Sequence, residues 1–227
     1  MCGRFTLVKE EEEIEDRFDA KFDNGAFQKN YNAAPGSKLS VITHSSPSKL
    51  QLFQWGLVPA WARDTQIAFK TINARIESVA EKPAFKNAFR QRRCLIPADG
   101  YYEWKKEGKE KIPYRITLKD EKLFAFAGIW ETWQQQGNTL FSFSIITMPA
   151  LQKIEHLHER MPAILSPENE KLWLNTDLPE EESFALLNAP EEDKIEYYTV
   201  AKKVNVASNN SAELIKPFNY PKQGSLF

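Results

Sequence analysis

A cysteine directly behind the initiator methionine, in MCGRF, offers a chemistry that no internal residue can supply. Methionine is removed from a chain when the next side chain is small, and cysteine qualifies. Loss of Met1 would leave Cys2 with a thiol and an α-amine on adjacent carbons, a 1,2-aminothiol that captures aldehydes persistently. The ordinary pKa of such an amine is about 7.7–8.0 and that of the thiol about 8.5, so both supply some nucleophile near neutrality. The competing interpretation is a loosely held chain end in which residue 2 has no role.

Four other stretches carry groups suited to proton or phosphate traffic. In ADGYYEWK (98–105) an extended chain puts Tyr101, Glu103 and Lys105 on one face and Tyr102 and Trp104 on the other. Glu103 is then either an ordinary exposed-face glutamate or a shielded carboxylate, its pKa raised towards that of a general base. KIEHLHERMPAIL (153–165) holds His156 and His158, two of the three histidines in the chain. Imidazole exchanges protons near neutrality, although a loop histidine also serves structural ends. TINARIESV (71–79) by itself reads as ordinary turn or edge-strand chemistry; its functional reading places Asn73 and Arg75 on one strand face, an amide that both donates and accepts beside a cation suited to phosphate. QWGLVPAWARD (54–64) and YNAAPGSK (31–38) present Trp55, Trp61 and Pro35 in loops, as core caps or as flat surfaces for nucleobases.

These groups need a frame. The chain has 227 residues, 42% hydrophobic and 27% charged, enough for one large domain with a substantial core. Its net charge of −1 argues against indiscriminate coating of nucleic acid, while 30 Lys and Arg residues leave room for a local basic groove. Basic clusters at 85–93 and 103–115 read as solvated faces, with Arg4, Arg63, Arg75 and Arg160 set singly beside apolar segments. No run approaches a membrane span, and the acidic start predicts an untargeted, cytoplasmic protein. Two cysteines, Cys2 and Cys94, suit a reducing compartment. A metal module built from them with His156 and His158 matches no zinc spacing, and neither a metal nor a cofactor is expected.

The apolar patterning predicts strands at 4–8, 38–44, 49–55, 93–97, 100–105, 113–118, 123–130 and 139–147, with ETWQQQGNT (131–139) as a hairpin connection. In the first, Phe5 and Leu7 face one way and Arg4 and Thr6 the other, the face that Cys2 shares. Helices are predicted at 9–18, with Ile14 and Phe18 as the buried stripe, and at 83–91, 166–175 and 179–188. Strands in succession argue for antiparallel pairing, hence a single α+β domain with a barrel-like, mostly antiparallel β-sheet and peripheral helices.

Singly these signals are weak, but MCGRF, INAR (72–75), ADGYYEW (98–104), HERMP (158–162) and AELIKP (212–217) occur in an order that resembles one family. The sequence is similar to the SOS response-associated peptidases, which shield abasic sites in single-stranded DNA. The resemblance spans Cys2 to about Pro217, leaving 218–227 as a tail. It implies a monomeric, cytoplasmic protein, nucleoid-associated when bound, whose partner is single-stranded DNA containing abasic sites. It further implies an enzyme that removes its own Met1 and links Cys2 covalently to the opened sugar as a thiazolidine, with AP-lyase cleavage as a side branch. By the same resemblance Cys2 is the nucleophile, Asn73 orients the site, Glu103 is the acid/base carboxylate and His158 transfers protons. Arg4, Arg75 and Arg160 match phosphate-contacting positions, and Pro35 and the Trp61 loop match elements that separate bases. One position departs from the pattern: Ala62 stands where a second bulky aromatic is common. Two alternatives use the same residues, a thiol peptidase acting on other proteins through Cys2 and His158, and a non-covalent single-strand binder.

Overall fold

Residues 93–98 and 124–129 are buried at every position because both faces of their strands are covered. In the computed structural model, which describes residues 3–22, 27–119, 122–135 and 137–221, alternate residues of the same strands fall into two different cores. Cys94, Ile96, Phe124, Phe126, Phe143 and Ile145 pack with Phe5, Tyr101 and Ile116. Their neighbours Leu95, Ala125, Ala127, Ile129 and Ile146 pack instead with Ile14, Phe89 and Trp173 from the helices. The period-two alternation of a strand makes this division automatic.

In chain order the strands are β1 (Phe5–Leu7), β2 (Lys21–Phe22), β3 (Asn30–Ala33), β4 (Lys38–Thr43), β5 (Ser46–Trp55), β6 (Asn73–Arg75) and β7 (Arg93–Ala98). There follow β8 (Gly100–Glu107), β9 (Glu110–Leu118), β10 (Phe124–Gln135), β11 (Asn138–Pro149), β12 (Arg160–Pro162), β13 (Ile164–Leu165) and β14 (Ile195–Thr199). The helices are α1 (Glu11–Phe18), α2 (Lys86–Gln91), α3 (Gln152–Glu155), α4 (Pro167–Trp173) and α5 (Glu180–Ala185). Strands β4, β5, β7, β10 and β11 form a closed barrel, sealed where β5 pairs in parallel with β11. A second sheet, in the order β14-β9-β8-β1-β3, is antiparallel throughout. The chain is thus a single α+β domain with peripheral helices, as the patterning predicts.

Two local expectations change. The stretch 131–139 is mostly paired strand, since β10 runs to Gln135 and pairs it with Asn138, the two hydrophilic tips being held by the ladder. The segment 71–79 is a strand only over Asn73–Arg75 and then turns, as Ser78 N–H donates to the Arg75 carbonyl.

The chain crosses from barrel to sheet at Asp99, between β7 and β8. Asp99 is fully buried and accepts from Thr6 Oγ1, the Val8 backbone N–H and Arg115 Nη2, the last at 3.0 Å. Arg115 is equally buried and donates to Tyr198 Oη at 2.8 Å. This corner ties β1, the strand that leads from the amino terminus, to β8 and β9.

Gly56 ends β5 with φ +118, a left-handed conformation, and a Cβ there would lie 2.6 Å from the Ala68 carbonyl oxygen. Gly56→Ala is therefore expected to destabilise the protein by about 1–3 kcal/mol. Urea denaturation checks this, and an unchanged midpoint would contradict the close approach. Among the described residues no helix is long and apolar enough to cross a membrane.

Candidate functional site

Glu103 lies in the middle of β8, opposite Tyr114 of β9 and on the same strand face as the buried Tyr101. The neighbouring Tyr102 and Trp104 turn the other way and pack with Val200 and Val204. Glu103 is only 3% exposed, so the exposed-face alternative is overturned. Removal from water penalises the carboxylate and pushes its pKa up to about 7. Together with Trp104, Lys111, His158 and Asn205 it lines a cavity of about 430 Å³. A larger hollow of about 600 Å³ beneath α1 and α4 contains none of the residues singled out from the sequence as chemical candidates. Its Arg17–Glu170 pair is already bidentate, at 2.9 and 2.7 Å.

His158 is delivered by the turn that follows α3. Its Nδ1 accepts the backbone N–H of Arg160 at 3.0 Å. A backbone N–H is always a donor, so the neutral ring must carry its proton on Nε2. Burial lowers the His158 pKa, and the imidazole is neutral at pH 7. His156, two residues earlier, is exposed and sets its ring edge-on against Tyr197. The two histidines therefore serve different environments. Cys94 is fully buried and its thiol pKa is raised by that burial, which suits packing and not metal ligation.

A third group converges on the end of β11. Strand β6 pairs with it in parallel, Asn73 opposite Ile145 and Arg75 opposite Thr147. Strand β12 pairs antiparallel on the other side, Pro162 opposite Thr147 and Arg160 opposite Pro149. In-register partners share a face, so Asn73, Arg75, Thr147 and Arg160 present together. Arg75 is exposed. Arg160 donates to both carboxylate oxygens of Glu77 and to the Thr147 carbonyl at 2.6 Å.

Arg4 donates to Asn32 Oδ1 at 2.7 Å and to the Val204 carbonyl at 2.9 Å. Half-buried, it ties β1 to β3 and to the turn at 202–205. Pro35 sits in the turn after β3, which Trp55 fixes by accepting the Gly36 N–H at its carbonyl. Trp55 is a core residue, and its indole donates to Ile72 at 2.9 Å, so one buried ring positions both the Pro35 turn and the start of INAR. Trp61 is 60% exposed, a flat surface and not a cap. Ala62 packs inward against Val58, Ala68 and Trp133, and its carbonyl accepts the Trp133 indole N–H at 2.8 Å. A bulky aromatic at that inward position would press on these three neighbours. Cys2 lies outside the described residues.

Some lining residues escaped the sequence reading. Lys111 arrives because the β8–β9 hairpin sets it opposite Lys106, and Asn205 because its side chain accepts the Trp104 indole at 2.7 Å. Phe69, 73% exposed on the turn Gln66–Lys70, adds a second uncovered aromatic in the Trp61 segment. Only Lys111 sits in a stretch whose charge pattern could have flagged it.

The family model described as SOS response associated peptidase (SRAP) matches residues 1–207. Abasic site processing protein YoqW of Bacillus subtilis is 44% identical over 222 residues, 95% of this chain and 99% of its own. Abasic site processing protein YedK of Escherichia coli is 31% identical, over 96% of this chain and all of its own. A crystal structure of a Bacteroides thetaiotaomicron protein superimposes with a TM-score of 0.89 at 31% identity, covering 96% of this chain and 100% of that one.

Proposed function

The chain belongs to the SOS response associated peptidase family, and from that premise we propose that it traps abasic sites in single-stranded DNA covalently through a mature amino-terminal Cys2. Removal of Met1 frees the α-amine. The deprotonated amine attacks C1′ of the open-chain sugar, water leaves, and an imine forms. The thiol sulfur then adds to the imine carbon while its proton passes to nitrogen, closing a five-membered thiazolidine. Both nucleophiles belong to one residue, so closure is intramolecular and has a high effective concentration.

The observation that supports this best is the cavity that Glu103 shares with His158. A carboxyl with a pKa of about 7 is well matched to take a proton from an ammonium whose ordinary pKa is about 7.7–8.0. Neutral His158 offers its Nε2–H to the sugar ring oxygen as the ring opens, and Asn73 orients the sugar. Arg4, Arg75 and Arg160 hold flanking phosphates, and Pro35 and Trp61 keep the neighbouring bases apart. The same carboxylate and imidazole serve the removal of Met1. An imine that waits too long loses its 3′ phosphate by β-elimination, so lyase cleavage is a minor branch that ring closure suppresses. Position, not bulk charge, holds the strand, which suits a chain of net charge −1.

The test is incubation with abasic and intact oligonucleotides followed by denaturing electrophoresis. A heat-stable shifted band is expected with the abasic strand alone and is lost in Cys2→Ala. No band with the wild-type protein would overturn the proposal.

A further inference from the structure

Arg160, assigned above to a phosphate, already holds an anion. Two of its guanidinium N–H groups reach the two oxygens of Glu77 in the side-by-side geometry that a phosphate would take. The partners differ in freedom. The Arg160 side chain is 10% exposed and is also fixed by its bond to the Thr147 carbonyl, whereas the Glu77 side chain is 51% exposed on the turn beyond β6. Rotation of Glu77 into solvent would uncover the guanidinium without moving it. Arg160 also fixes His158, since its backbone N–H is the donor to Nδ1. A shift of Arg160 would therefore disturb the imidazole, while a shift of Glu77 would not.

We propose that Glu77 is an exchangeable countercharge: it keeps Arg160 aligned in the absence of DNA and must be displaced by a backbone phosphate for a strand to seat. Glu77 then sets specificity. On an intact strand the gain of one phosphate contact nearly cancels against the loss of the carboxylate, so Arg160 stays largely on Glu77, and only a strand that also bonds to Cys2 draws the phosphate in. The inference rests on the DNA reading above and adds a residue to which that reading gives no role. Arg160 holds the Glu77 carboxyl below the usual carboxylate range, so the countercharge is present throughout the neutral range.

Equilibrium binding of an undamaged single-stranded oligonucleotide, followed by fluorescence anisotropy across a salt series, tests it. Glu77→Gln keeps the shape and removes the charge. It is expected to bind more tightly than wild type by roughly three- to tenfold at low salt, with a log–log salt slope steeper by about 0.7, the signature of one more neutralised phosphate on a single strand. In an Arg160→Ala background the same substitution is expected to leave the slope unchanged. Unaltered or weaker binding by Glu77→Gln overturns the inference, as does a slope gain that persists without Arg160. Covalent capture of an abasic strand by the wild type, run alongside, separates the two claims. If capture occurs and the slope does not move, only the role of Glu77 falls; if capture fails, the DNA reading falls with it.

Discussion

Glu103→Gln is expected to slow covalent capture by roughly 10²–10⁴-fold, the usual worth of a positioned acid/base group, and at the same time to make the protein more stable above neutral pH. The two effects have one cause. In the folded protein the carboxyl titrates at about 7, against an ordinary value of 4.5. Between those values the native state binds a proton that the unfolded chain has released, so native stability falls as pH rises from 4.5 to 7 and stays low above it. The interval of two and a half pKa units corresponds to about 3 kcal/mol. Glutamine carries no charge to desolvate, so the variant gains about that much at pH 8 and nothing near pH 4. Chemical denaturation of both proteins at the two pH values measures the gain; parallel curves would mean an ordinary carboxyl. Capture follows the same titration. Wild-type rates should drop as pH falls below 7 and Glu103 takes up its proton, whereas the variant should retain only the dependence of the amine itself.

Asp99→Ala is the second substitution with a large expected effect, and it acts first on stability. It removes the charge partner of Arg115, which stays buried with its guanidinium uncompensated. Breaking one side of such a pair costs about 3–5 kcal/mol, and here the Val8 N–H loses its acceptor as well, while the Thr6 hydroxyl keeps only the Gly100 carbonyl at 3.2 Å. For a domain of this size the melting temperature should fall by roughly 10 °C. The double variant Asp99→Leu/Arg115→Met, which removes both charges, should recover much of the loss. A fall of only a degree or two in the single variant would show that Asp99 is not the group that keeps Arg115 in place. Because this corner fastens β1 to β8, loosening it should also reduce capture at temperatures where the protein remains folded.

How far the sequence could be read differs from element to element. The strands at 38–43, 93–98 and 124–130 were legible from their apolar runs, because a strand covered on both faces is apolar at most positions. The succession of strands predicted a barrel-like sheet, but nothing in β5 or β11 signals that these two pair in parallel to close it, since that contact joins Trp55 to Phe143, far apart in the chain. Alternation in GYYEW assigned Glu103 to the face opposite Trp104. It could not say whether that face meets water or protein, and on burial alone depend both the pKa near 7 and the role proposed for the carboxyl.

Five short blocks in a fixed order were enough to identify the family, and the chemical inventory was equally local, because residue types and strand faces are properties of neighbouring residues. Which of those groups meet depends on packing between distant parts of the chain. Glu103 and His158 are 55 positions apart and share a cavity through sheet packing. His156 and His158 are two apart and do not. Arg160 looks in the sequence like a cation awaiting phosphate, yet the turn after β6 brings Glu77 to it. Burial, tautomer and ion pairing are set by what surrounds a side chain in space, and the chain must close its barrel before those surroundings exist.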